Sequence, residues 1–167
     1  MLFRSGAYGE GGYFNVTFRA WNDNLPTIEN VFRIDLSNGI RGVWNEVLWS
    51  SILPMKRQFQ TGDSGGYGIP GGQWFVEKFR DPVLGWAYDH LKGPDSFMDV
   101  LYDTDSSPKK PPYDLEPVRC LRNTGITVFK SGWEKDDFVF VMQTGSFYNH
   151  QHFHQGNFFL EIRKSVV

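Results

Sequence analysis

The densest group of chemistry-bearing side chains is Asn149-His150-Gln151-His152-Phe153-His154-Gln155-Gly156-Asn157, which holds three of the chain's four histidines. In an extended segment, side chains at i, i+2 and i+4 project to one face. His150, His152 and His154 can therefore converge on a metal or an anionic ligand, and neutral imidazole is a common zinc ligand. Exposed polar residues beside a strand start account for the same spacing equally well, and the nearest carboxylate in sequence is Glu161. A second group, Gly6-Ala7-Tyr8-Gly9-Glu10-Gly11-Gly12-Tyr13-Phe14, sets two tyrosines and a glutamate in a glycine-rich turn. A tyrosine whose neighbours lower its pKa can serve as a general acid or base; a helix-start loop with packed tyrosines is the plainer reading of these residues alone. The third group is Gly62-Asp63-Ser64-Gly65. There Asp63 either holds a sugar hydroxyl or caps a turn through nearby backbone.

These groups need a frame. With 167 residues the chain is long enough to bury a core. Its 17 basic and 19 acidic side chains give a net charge of −2, which does not suit electrostatic binding of a nucleic acid. No apolar run reaches the length of a membrane span, and Met1 to Gly6 begin no apolar signal-peptide core. A single cysteine, Cys120, excludes a disulfide scaffold and a cysteine-based zinc cluster within the chain. The 15 Phe, 7 Tyr and 6 Trp can fill a core or stack on sugar rings; core packing accounts for most of them.

The first half reads helical. Phe14, Phe18 and Trp21 recur at near-helical spacing. From Asn38 to Leu53, Ile40, Val43, Trp44, Val47, Leu48 and Ile52 form one apolar stripe, with Ser37 or Asn38 as cap and Pro54 as stop. The glycine-rich stretch 61–72 follows as a loop able to take unusual backbone angles; it lacks the lysine of a phosphate loop. Trp74 to Phe79 and Pro82 to Leu91 predict two short helices, the second opened by Asp81-Pro82, and Ser96 to Tyr102 another turn or two. Asp103 to Pro117, with four prolines, reads as a linker. Then the period changes. Ile126 to Lys130, Phe138 to Met142 and Asn157 to Arg163 are strand-like, with a polar turn over Ser131 to Asp137. The second of these runs is apolar on both faces, which predicts a position inside a sandwich or under another domain. Helices first and antiparallel strands second imply an α+β chain of two segregated units. Three strands do not make a stable sandwich alone, so a fragment of a longer protein is expected.

In this order the motifs resemble the heparinase II/III-like polysaccharide lyases. Gly125-Ile126-Thr127-Val128-Phe129-Lys130-Ser131-Gly132-Trp133, then Phe138 to Gly145, then Asn149-His150-Gln151-His152, is similar to the opening of that family's β-domain. Gly6 to Tyr13 and Gly62-Asp63-Ser64 resemble loops of its helical toroid. The resemblance covers nearly the whole chain. It implies the C-terminal part of an incomplete α/α toroid over residues 1–103, a Pro-rich linker over 104–124, and the first strands of an antiparallel β-sandwich over 125–167.

The reaction so implied is β-elimination at a uronic-acid residue of an acidic polysaccharide, a glycosaminoglycan or alginate. The site must neutralise the uronate carboxylate, take the C5 proton and protonate the leaving oxygen. The resemblance places His150 at the catalytic site, with Tyr13 as the tyrosine acid/base and Tyr8 as its alternative. His152 is implied as first ligand of a zinc ion whose other ligands lie outside the chain, and Glu10, Asp63 and Asn149 as substrate-binding residues. Family members often carry an acidic residue where this chain has His154. An exported parent, periplasmic or secreted, follows from the polymer substrate. The implied site is incomplete here, so the isolated chain is expected to be inactive. Two other readings stand beside this one: a non-catalytic carbohydrate-binding or structural protein of the same architecture, and a metal-dependent β-barrel enzyme that uses the three histidines directly.

Overall fold

Phe18, Trp21, Leu25 and Ile28 return every three or four positions and turn one stripe of the first helix, α1 (Phe14–Phe32), to the core. The computed structural model describes residues 14–52, 57–59, 71–93, 97–122, 124–134, 136–145 and 156–162. Where one helix is expected over 38–53, the chain makes α2 (Ser37–Ile40), α3 (Val43–Ser50) and an extended strand β1 (Ser51–Ile52). Gly42 separates the two helices and stands at the N-cap of α3. Neither Ser37 nor Asn38 acts as a side-chain cap: Ser37 lies inside α2, and its N–H donates to Asp35 Oδ1 at 2.8 Å. At the end of α3 the hydroxyls of Ser50 and Ser51 donate to the carbonyls of Val47 (3.4 Å) and Leu48 (2.7 Å). Serine hydroxyls compete there with the helix ladder, and β1 turns away to pair antiparallel with β2 (Arg57–Gln58).

The helices α4 (Gln73–Phe79) and α5 (Pro82–Leu91) match the expected pair. Asp81 caps α5, accepting from Val83 N at 3.0 Å and Leu84 N at 3.3 Å, with Pro82 in the first turn where its missing N–H costs nothing. A short α6 (Phe97–Leu101) follows. Aromatic rings lock these helices together. Phe18 stacks on Phe75 at 4.8 Å and meets the edge of Trp44 at 5.3 Å.

Residues 104–117 are not a free tether. Lys110 N donates to Pro82 O at 2.9 Å, Lys109 pairs with Asp89 at 2.7 Å, and Thr104 and Ser107 are buried. The connection lies so close to α5 that a Cβ on Gly85 would stand 2.4 Å from Pro108 O. The stretch 104–124 also contains a strand, β3 (Val118–Leu121), which corrects the linker reading. Its partner β4 (Ile126–Lys130) supplies the pairing that local composition did not announce, opposing Val118 to Phe129 and Leu121 to Ile126.

The sheet thus has four strands rather than three, in order β3, β4 (Ile126–Lys130), β5 (Val139–Gln143), β6 (Phe158–Glu161), all antiparallel. This helix-then-sheet arrangement is α+β. The sheet is open among the described residues, which does not support the β-barrel reading. In β4 and β5 burial alternates: Ile126, Val128, Lys130, Val139, Val141 and Gln143 point inward. β5 is therefore not covered on both faces as expected; Phe140 is half-buried and Met142 exposed.

The inward face meets the helices through Trp133. This ring packs edge-on to Trp49 of α3 (5.2 Å) and Trp86 of α5 (6.4 Å), and the Lys130 ammonium lies 4.4 Å from its centre. A further tie is Arg57 of β2 to Glu161 of β6 at 3.8 Å. Among the described residues no helix is long and apolar enough to cross a membrane.

Candidate functional site

The residues that the sequence singles out, His150, Tyr13, Tyr8, Glu10, Asp63, Asn149 and His152, all lie outside the described residues, as does His154. What the fold describes is the frame on either side of them. The histidine segment spans β5 to β6. At its base Gly156 N donates to Gln143 O at 2.7 Å and Gln143 N to Asn157 O at 3.1 Å. Gly145, which closes its upstream side, is wedged against the β3–β4 turn: a Cβ there would lie 1.9 Å from Thr124 O. Thr144 N donates to Gly125 O at 2.9 Å, and Gly125 takes a φ of +64°, which glycine adopts without strain.

The segment carrying Asp63 joins β2 to α4, and both flanks are anchored. Upstream, Phe59 N donates to Ser50 O at 2.9 Å, and Arg57 reaches Glu161. Downstream, the fully buried Asn22 of α1 clamps the chain. Its Oδ1 accepts from Gly72 N at 3.1 Å and from Trp74 N at 3.2 Å, and its Nδ2 donates to Gln73 Oε1 at 3.4 Å. Gly71 and Gly72 both have positive φ, and a Cβ on Gly71 would crowd the Asn22 amide at 3.2 Å. Gln73 Nε2 donates onward to Asp99 Oδ1 at 3.0 Å, which also accepts from Tyr88 OH at 2.7 Å. One network, buried at Asn22, Gln73 and Tyr88 and half-buried at Asp99, so ties α1, α4, α5 and α6 together. Tyr13 directly precedes α1, whose first residue lies about 12 Å along the helix axis from Asn22. The described frame thus anchors the downstream flank of the Asp63 segment on the helix that Tyr13 leads into, and the upstream flank on the strand that the histidine segment leads into.

Asn22 was not singled out from the sequence. Its signal was present, a polar side chain on the apolar stripe between Phe18 and Leu25. Asn22→Ala leaves two buried N–H groups at the start of α4 without an acceptor, at about 1–3 kcal/mol. A loss of that size in urea unfolding is expected, and a loss within about 0.5 kcal/mol would show that the clamp contributes nothing.

Neither Tyr102 nor Tyr113 is tuned as a base. Burial first, then Glu77, Asp23 and Glu29, push the Tyr102 phenol upward, and the hydrogen bond to Glu134 does the same for Tyr113. Tyr88 is buried and donates to Asp99. Among the described residues no three His, Cys, Asp or Glu side chains come together to hold a metal. Glu161, the nearest carboxylate to the histidines in sequence, is ion-paired to Arg57. Concave places occur elsewhere among the described residues. One is a cavity of about 480 Å³ floored by Leu48, Leu84 and Ala87 with Arg41 and Asn38 among its lining. Another is a polar cleft of about 380 Å³ lined by Glu29, Glu77, Lys78 and Tyr102.

No family model matches the sequence, and no curated protein matches it. Several solved structures do, two of them of one enzyme. One is a heparan sulfate lyase HepC from Pedobacter heparinus, with a TM-score of 0.64 at 16% identity. The other is a mutant of that lyase, with a TM-score of 0.61 at 17% identity. Each match covers 95% of this chain and 24% of the solved one, so the chain spans about a quarter of their length. At such identity the likeness is one of fold: these helices and this antiparallel sheet are arranged as in part of a heparan sulfate lyase.

Proposed function

We propose that this chain is part of a polysaccharide lyase that cleaves uronic-acid-containing acidic polysaccharide by β-elimination. The observation that carries the reading is the fold likeness over 95% of the chain to a heparan sulfate lyase, coupled to the placement of the His-x-His segment between β5 and β6. In this reading residues 1–103 belong to an incomplete α/α toroid, and the sheet that starts with β3 opens a β-sandwich. The parent protein is exported, periplasmic or secreted. His150 takes the C5 proton or neutralises the uronate carboxylate. Tyr13, or Tyr8 in its place, exchanges a proton with the leaving oxygen. A matched acid/base pair of this kind contributes about 10²–10⁴-fold. Glu10, Asp63 and Asn149 hold the sugar. His152 is one ligand of a zinc ion that braces the β-domain, and no chemical step runs through that ion.

The test is release of unsaturated uronate, followed by its ultraviolet absorbance. The assay compares the longest polypeptide that carries this chain, the 167-residue chain alone, and His150→Ala in the longer protein. Substrates are heparan sulfate, a second glycosaminoglycan and alginate. The expected result is turnover of at least one polymer by the longer protein, a loss of 10²-fold or more in His150→Ala, and none from the isolated chain. Polymer binding without any unsaturated product would instead establish a non-catalytic carbohydrate-binding protein. Turnover by the isolated chain would overturn the view that its site is incomplete.

A further inference from the structure

Lys130 occupies an inward position of β4, in phase with Ile126 and Val128, where an apolar residue is the rule. It is 2% exposed. Its Nζ donates to Ser51 O at 2.6 Å and Leu48 O at 3.2 Å, the carbonyls at the end of α3, and its charge faces the Trp133 ring. These partners all lie on the junction between helices and sheet. Among the described residues, the titratable or charged side chains on the elements that meet here include the buried Glu46 on α3, Arg57 on β2 paired with Glu161 on β6, and His90 on α5, which stacks on Trp86 at 4.1 Å. No carboxylate forms an ion pair with Lys130 among the described residues.

We propose that Lys130 is a proton-sensitive latch on the junction between the helices and the sheet, which seats the sheet more firmly when the amine is neutral and loosens it when the amine is charged. A buried ammonium with only carbonyl and ring partners is poorly compensated for the water it has lost. When the junction opens, the same amine is hydrated and holds its proton easily. The neutral amine keeps donor hydrogens for both carbonyls, so the seated arrangement survives deprotonation. Consistent with this, burial pushes the Lys130 amine down to about 7 from an ordinary value of 10.5.

The opened or unfolded chain therefore binds more protons than the seated one between these two values. Stability contributed by Lys130 is fully present above the upper value and is lost as pH falls through the lower. The inference does not depend on the lyase reading.

Urea unfolding of the 167-residue chain, followed by tryptophan fluorescence between pH 7 and 10, tests it. For the wild type relative to Lys130→Met, the unfolding equilibrium constant is expected to fall by about tenfold per pH unit over this range. Lys130→Arg, which stays charged, is expected to show no such fall and to be the least stable of the three at pH 9. A wild-type to Lys130→Met ratio that is flat across the range would overturn the latch. Should Lys130→Met fail to fold, NMR titration of the Lys130 Cε in the wild type decides the matter. A midpoint near 7 supports the latch, and one near the ordinary lysine value of about 10.4 overturns it.

Discussion

Trp133→Ala is expected to remove about 3–5 kcal/mol of stability, the usual cost of deleting a large buried ring. The reason is positional. Trp133 is 6% exposed and belongs to the turn between β4 and β5, yet its ring reaches past the sheet to Trp49 and Trp86 on two different helices. Its removal empties the junction and strips the Lys130 amine of the aromatic face it packs against at 4.4 Å. A domain of this size has about 5–15 kcal/mol in total, so most of the population should unfold at modest urea. Trp133→Phe keeps an aromatic face and should recover part of the loss. Phe97→Ala, at a ring 74% exposed on α6, is the control and should change stability by no more than about 0.5 kcal/mol. If Trp133→Ala unfolds at the same urea concentration as the control, the junction is not a source of stability.

The second large effect is expected at Gly145→Ala. Here nothing is deleted; one methyl is added where two backbones touch. The new Cβ would stand 1.9 Å from Thr124 O, and the facing Gly125 has a Cβ position 2.0 Å from Gly145 Cα. Backbone atoms cannot rotate aside as a side-chain tip can, so the end of β5 must part from the β3–β4 turn. Overpacking of this kind costs about 1–3 kcal/mol, and the loss of the Thr144 N to Gly125 O bond adds to it. Gly39→Ala offers the matched control, since its added Cβ meets nothing within 4 Å and helix propensity favours alanine there. Thermal unfolding should drop by several degrees for Gly145→Ala and not drop for Gly39→Ala. An unchanged melting temperature for Gly145→Ala would mean that the close approach does not persist in solution. The same displacement should move the start of the histidine segment, read as shifts in the imidazole signals of His150 and His152 by NMR.

The sequence alone determined where most of the local elements lie. Apolar spacing located α1, α4 and α5, and Asp81-Pro82 marked the start of α5, because a cap and a first-turn proline act through a few neighbouring backbone groups. The strand character of β4 was equally legible, as was the polar turn after it. Ser131 and Asp137 close that turn through a hydroxyl–carboxylate bond at 2.8 Å, again a local event. The decisions that escaped were non-local. β3 hid inside a stretch read as linker because its residues become a strand only when β4 supplies the partner. The helix expected over 38–53 was cut short where two serines turned onto the helix carbonyls and β2 offered an edge.

The candidate chemistry divides along the same line. His150, His152, Tyr13, Tyr8, Glu10, Asp63 and Asn149 stand out by residue type and motif, which a sequence displays directly. The residues that hold their flanks do not stand out this way. Asn22 and Lys130 look like ordinary polar residues until a partner 50 or more positions away is brought beside each of them. A buried amide or amine is tolerated only where distant backbone groups complete its hydrogen bonds. That completion exists only in the tertiary structure.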